Sequence, residues 1–136
     1  MKQQLTEQER FDLMIYRMQR AHDTMKEALV MSRESFYNAA VNRLYYACYY
    51  AAIALLIKYE IQPQTHNGVK TMLGLHFVSK GKLSREHGNT FNTLFEKRQS
   101  GDYDDFIYSD KEIVDELYPQ AEAFIQAIEE LINPKE

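Results

Sequence analysis

Arg98 is the residue whose placement bears most directly on chemistry. It stands in the run Glu96-Lys97-Arg98-Gln99-Ser100-Gly101-Asp102-Tyr103-Asp104-Asp105-Phe106, where a basic pair leads into a glycine and then into three carboxylates around a tyrosine. Phe91, Leu94 and Phe95 have the spacing of one buried helical face, and the next three-and-four step falls on Arg98. The guanidinium is therefore expected to leave its helix on the inward side, at the helix end. An isolated buried charge costs on the order of several kcal/mol, so Arg98 must either pair or face a cleft. Asp102, Asp104 or Asp105 could simply neutralise it; the functional alternative is a binding site that includes Arg98, Asp102 and Tyr103.

A second cluster crowds Asn42, Arg43, Tyr45, Tyr46, Tyr49 and Tyr50 into nine residues. Helical spacing puts Arg43, Tyr46 and Tyr50 on one face. Tyrosine rings are amphipathic, so such a stripe serves either as packing, including packing between subunits, or as a stacking wall for a base with Arg43 taking phosphate.

His66, in the run Gln62-Pro63-Gln64-Thr65-His66-Asn67-Gly68, lies at the start of a short helix, where the positive dipole end favours a neutral ring able to accept a proton. A local turn or cap contact is the alternative. His22, His76 and His87 read as packing or surface residues. No two histidines are spaced four apart and Cys48 is the only cysteine, so no metal is expected. The five glycines are dispersed, so there is no phosphate loop, and no cofactor is implied.

The elements that must position these residues are helical. Phe11, Met14, Ile15, Met18, Ala21, Met25, Ala28 and Leu29 form one apolar face, opened by a Thr6–Glu9 capping box. Ser32 or Ser35 is expected to cap a second helix that runs to about Tyr59 and is apolar nearly all round, as a central helix would be. Past Pro63, Thr65 or Asn67 caps a shorter third helix through Phe77, closed by Gly81. Ser84 opens a fourth, ended by Gly101, and a Ser109–Glu112 capping box opens the last, with Ile113, Leu117, Ala121, Phe124, Ile125, Ile128, Leu131 and Ile132 as its stripe. Pro119 should kink that helix or set off a short segment before it. The expected fold is all-α: a four-helix up-and-down bundle of the first, second, fourth and fifth helices, with the short third one across it, as one domain over 1–136.

The totals agree with such a chain. At 136 residues, 45% hydrophobic and 26% charged, it is long enough for a core and lies outside the disordered range. A net charge of −4 weighs against indiscriminate attraction to nucleic acid, so any contact with phosphate must come from a local cluster of cations. Cys48 should be a small buried core residue, in keeping with a reducing compartment. The first ten residues lack a signal sequence and the Ala47–Ile57 run is too short for a bilayer, so the expected location is the cytoplasm, with no membrane partner.

Three segments, read in order, resemble a bacterial and archaeal branch of the HEPN domains: the run from Ala39 to Leu56, the run from Thr65 to Ser84, and Leu94–Phe106 followed by an acidic amphipathic helix. The resemblance implies a helical bundle that often forms a homodimer, in a superfamily linked to nucleotide binding, toxin–antitoxin and defence systems, and metal-independent RNA cleavage. Ribonuclease members carry an arginine, four to six residues, then a histidine. Arg98 matches the arginine, but Tyr103 stands five residues on and neither Asp104 nor Asp105 restores the histidine. Tyrosine, with a pKa of about 10, is a poor base at neutral pH. The half-complete motif implies a noncatalytic nucleotide-, RNA- or partner-binding module lined by Arg43, Tyr46, Arg98, Asp102 and Tyr103. The alternative is a toxin-type ribonuclease using Arg98 with His66 as substitute base. By the same resemblance a nucleotidyltransferase is a plausible partner, with Tyr103 as the point it would modify.

Overall fold

The computed structural model describes residues 4–103 and 109–133, without the side chains of 99–103. Among the described residues there are helices and turns and no strand: α1 (Glu7–Arg33), α2 (Tyr37–Lys58), α3 (His66–Leu73), α4 (Arg85–Tyr103) and α5 (Lys111–Ile132), with a π-helical turn (Gly74–Val78) prolonging α3. The fold is all-α, as expected.

Contacts at the helix ends give the directions. Arg10 near the start of α1 pairs with Glu60 just past α2 at 3.2 Å, so these helices are antiparallel. Lys58 at the end of α2 donates to the Leu131 and Ile132 carbonyls at the end of α5, while Asn38 near the start of α2 accepts from the Ser109 amide just before α5. Thus α2 and α5 run the same way and α1 the other way; α4 runs with α1, since His87 at its start meets Phe124 in the second half of α5 and Arg98 further along lies over Tyr46 in the first half of α2. This is the up-and-down arrangement.

α2 occupies the centre and touches every other α-helix. Its alanines at 40, 47, 51, 52 and 54 are fully buried, those from 47 onward in one core cluster with Ala21 and Ala28 of α1, and such small side chains let helices approach closely. Larger side chains fill the remaining space: Leu44, Tyr45, Leu55, Phe77, Phe91, Leu94, Phe124 and Ile128 are all buried, with Phe91 and Phe124 stacked at 5.7 Å. Cys48 lies wholly inside, its thiol directed to the Ala121 carbonyl. Contrary to the estimate from the shorter run, the whole of α2 is long and apolar enough by length and composition to cross a membrane, but 61% of that window is buried inside the bundle, which is how a core helix reads.

The expected cap Thr6 accepts from the Glu9 amide at 3.0 Å and Glu9 reciprocates, while Thr65 accepts from Gly68 and Ser84 from His87. Neither Ser32 nor Ser35 caps α2. Ser35 adopts a left-handed conformation (φ 65°) and closes α1, its amide bonding to the Ser32 carbonyl and the Phe36 amide to that of Met31, which leaves Phe36 to start α2 with no side-chain cap. Glu60 (φ 59°) ends α2 in the same way, and Gly81 (φ 73°) closes the π turn.

Further expectations about helix ends and faces are corrected or narrowed. α4 passes through Gly101 to Tyr103, because a glycine permits a turn without enforcing one. Asp110, not Ser109, caps α5, accepting from the Ile113 amide at 2.9 Å. Of the two outcomes expected at Pro119, the separate segment is not found, since Pro119 lies inside a single helix. On α1, the buried set is Met14, Met18, Ala21, Thr24, Met25 and Ala28, whereas Phe11, Ile15 and Leu29 are exposed. The core-facing stripe is rotated away from them, toward α2.

Candidate nucleotide-binding surface

The N-terminal half of α2 presents Tyr45, Tyr46, Tyr49 and Tyr50 on two successive turns. Tyr45 is fully buried and anchors the group, with ring centroids 5.2 Å from Tyr46, 5.9 Å from Tyr49 and 5.8 Å from Phe91. Burial pushes its hydroxyl well above the ordinary range, against the opposing pull of Arg98, so it stays protonated, and donation to a neighbouring acceptor satisfies the buried O–H. Its partner is Nδ1 of His66, 2.8 Å away.

His66 is the first residue of α3, where the Thr65 cap sets the entry of the chain. Its ring stacks on Tyr49 at 4.3 Å and 18°, and meets Tyr46 edge-on at 5.8 Å. In the tautomer that accepts from Tyr45 at Nδ1, the neutral ring carries its proton on Nε2. Packing on three tyrosines fixes the plane in which that N–H lies.

Arg98 comes to the same rings from α4. Its guanidinium carbon lies 5.6 Å from the Tyr45 centroid and 5.5 Å from that of Tyr46, so the inward exit read from the Phe91–Leu94–Phe95 stripe brings it over the tyrosine wall. Arg43 covers Tyr46 from α2 itself at 5.1 Å and donates to Asn42 Oδ1. His66 and Arg98, thirty-two positions apart in the chain, thus share Tyr45 and Tyr46. Sequence spacing had no means of bringing them together.

Asp102 and Tyr103, the other residues assigned to this site, have side chains outside the described residues. Two arginines absent from the sequence reading join the site from α1. Arg20 lies 5.2 Å from the Tyr50 centroid, and a polar contact with that side chain raises it above its ordinary value. Burial raises the Tyr49 hydroxyl, and the positive charge of Arg17 opposes that rise. The signal for Arg17 was available: it stands three residues after Met14 and four before Ala21, on the flank of the buried stripe. Glu27 links the groups, one oxygen 3.4 Å from Arg43 and the other 3.7 Å from Arg20.

The arrangement is a floor of aromatic faces ringed by guanidiniums in a chain of net charge −4. Such a surface stacks flat π systems and pairs with oxyanions. The HEPN domain family model matches residues 14–131, nearly the whole of the described bundle. The chain belongs to the HEPN domain family. Among similar HEPN relatives, a UPF0332 protein of Thermotoga maritima is 35% identical over 118 residues, covering 87% of this chain and 89% of the relative. Two proteins of Methanocaldococcus jannaschii whose names mark them as candidate toxins are each 29% identical, over 117 and 113 residues, covering 86% and 83% of this chain and 80% and 84% of the relatives. In this HEPN chain Arg98 lies over the tyrosine wall.

Proposed function

We propose that this HEPN chain is a noncatalytic binding module of a toxin–antitoxin or defence-type system, acting in the cytoplasm and taking a nucleotide or short RNA on the surface lined by Arg43, Tyr46, Arg98, Asp102 and Tyr103. The observation that carries this reading is the gathering of His66 and Arg98 on Tyr45 and Tyr46. The tyrosine faces would stack a base while the two guanidiniums hold phosphate oxygens. Tyr103 at the motif histidine's place favours binding over cleavage, and so does the bond that occupies His66 Nδ1. The names of the two Methanocaldococcus jannaschii relatives favour the toxin–antitoxin setting. As part of the same proposal the chain works as a homodimer, with a nucleotidyltransferase as its protein partner.

The test is titration of the purified chain with mononucleotides and dye-labelled single-stranded RNA. Binding is expected, and the Arg43→Ala, Arg98→Ala double variant should weaken it at least tenfold, since each hydrogen bond to a charged group contributes about 1.5–3 kcal/mol. Wild-type chain that binds none of them refutes the reading.

The shared tyrosine contacts of His66 and Arg98 also favour a second reading, a metal-independent ribonuclease. His66 would have to give up its bond to Tyr45 or flip its tautomer to take the 2′-hydroxyl proton, with Arg98 stabilising the charge on phosphorus. RNA degradation in the presence of chelator, abolished by Arg98→Ala with the helical spectrum intact, would support it. Intact RNA across varied substrates eliminates it.

A further inference from the structure

Arg98, Arg43 and Arg20, three of the chain's seven arginines, lie over tyrosines of α2, Arg17 stands one turn before Arg20 on α1 with its guanidinium 5.7 Å from Tyr16, and only Arg98 and Arg43 belong to the site described above. We propose that Arg17 and Arg20 of α1 form a second phosphate-binding position beside the first, so that the site takes a single-stranded oligonucleotide with at least two consecutive phosphates in preference to a mononucleotide. This rests on the nucleotide-binding reading and extends it.

The spacing comes from α2. Tyr45 and Tyr46 lie one turn before Tyr49 and Tyr50, and residues four apart on a helix are displaced by about 6 Å along its axis. The rings follow that displacement, with Tyr46 centred 6.0 Å from Tyr49 and 6.2 Å from Tyr50. Each turn carries its own cation. Arg98 and Arg43 lie over the first, at 5.5 and 5.1 Å from Tyr46; Arg20 lies over the second, 5.2 Å from Tyr50, with Arg17 one turn before it on α1. Two aromatic faces one helical turn apart, each with cations beside it, suit a chain of stacked bases with a phosphate at each step.

Two further features mark the α1 arginines as more than surface charge. Glu27 reaches Arg20 and Arg43 with its two oxygens, so a single carboxylate spans guanidiniums of both turns. A carboxylate held between two guanidiniums occupies the place a bridging phosphate would take, and its presence keeps both cations extended over the rings. Arg17, for its part, has its Nε shielded from solvent and without a hydrogen-bond partner. A buried donor left unsatisfied is costly, and a shift of the guanidinium that brings it to an oxyanion removes that cost.

The experiment measures fluorescence anisotropy of labelled single-stranded RNA of one, two, four and eight nucleotides at several salt concentrations. For wild-type chain, affinity should rise between one nucleotide and four. Each phosphate contact contributes roughly −0.7 to the slope of log K against log salt for a single strand. The Arg17→Gln, Arg20→Gln double variant should therefore shallow the octamer slope by about 1.4 and bring octamer and mononucleotide affinities close together. Arg20→Gln alone, at a side chain one third exposed and safe for folding, should shallow it by about 0.7. Wild-type chain that binds RNA with a slope and a length dependence untouched by these variants overturns this inference while leaving the nucleotide-binding reading standing. Wild-type chain that binds no RNA overturns both.

Discussion

Tyr45→Phe removes one oxygen and leaves a ring of the same shape, so it isolates the hydrogen bond that orients His66. The ring keeps its neighbours Tyr46, Tyr49, Phe91 and Phe95 at 5.2 to 6.1 Å, and no cavity larger than a hydroxyl opens. The loss is a 2.8 Å bond between a buried hydroxyl and a partly exposed imidazole. Such a bond contributes about 1 kcal/mol net, and because water can reach His66, the larger penalty of a stranded buried acceptor does not apply. In a chain of 136 residues this corresponds to a fall in Tm of roughly 3–5 °C. The more specific readout is nitrogen NMR of the His66 ring above its titration. Wild-type chain should show the Nε2–H tautomer, and Tyr45→Phe should move the pattern toward a mixture of the two. A proton on Nδ1 in the wild-type chain, or an unchanged pattern in the variant, refutes the claim that Tyr45 sets the tautomer.

Three other outcomes follow from the same structure. Gly81→Ala places a side chain at φ 73° and should cost about 1–2 kcal/mol in chemical denaturation, whereas Ser35→Gly, at φ 65°, should be neutral or stabilising. Burial raises the Tyr45 and Cys48 groups well above their ordinary values and also raises Tyr49, so the folded chain holds protons that the unfolded chain releases at about 10 for tyrosine and about 8.5 for cysteine. Their contribution is complete below those values and is lost as pH rises past them, so Tm should begin to fall above about pH 8.5, with a shallower fall in Cys48→Ala. Cys48 should resist thiol reagents in native chain and react at the rate of unfolding, because it is wholly enclosed; fast native labelling would contradict the packing of α2.

Elements were legible in the sequence where local chemistry decides them. The Thr6–Glu9 box, the Thr65 and Ser84 caps and the apolar stripe of α5 depend on contacts three or four residues apart, which are present in any helix these residues form. The inward exit of Arg98 belongs with these, since it follows from the period of the stripe before it. Reading failed where two helices compete for the same few residues. Ser35 has the chemistry of a cap for α2, but the closure of α1 puts it in a left-handed conformation first, and Asp110 displaces Ser109 by one position.

Periodicity also measures an apolar face without saying which helix covers it. Phe11, Ile15 and Leu29 fit the stripe of α1 yet lie exposed, because α2 covers the other side of that stripe, the side that also turns Arg17 and Arg20 toward the tyrosines. The sequence by itself determined the helices, the inward arginine and the tyrosine-rich turn pair. Tertiary structure alone decided that His66 of α3, Arg98 of α4 and the α1 arginines meet on that pair, because their proximity is set by how helices pack side by side and not by any spacing along the chain.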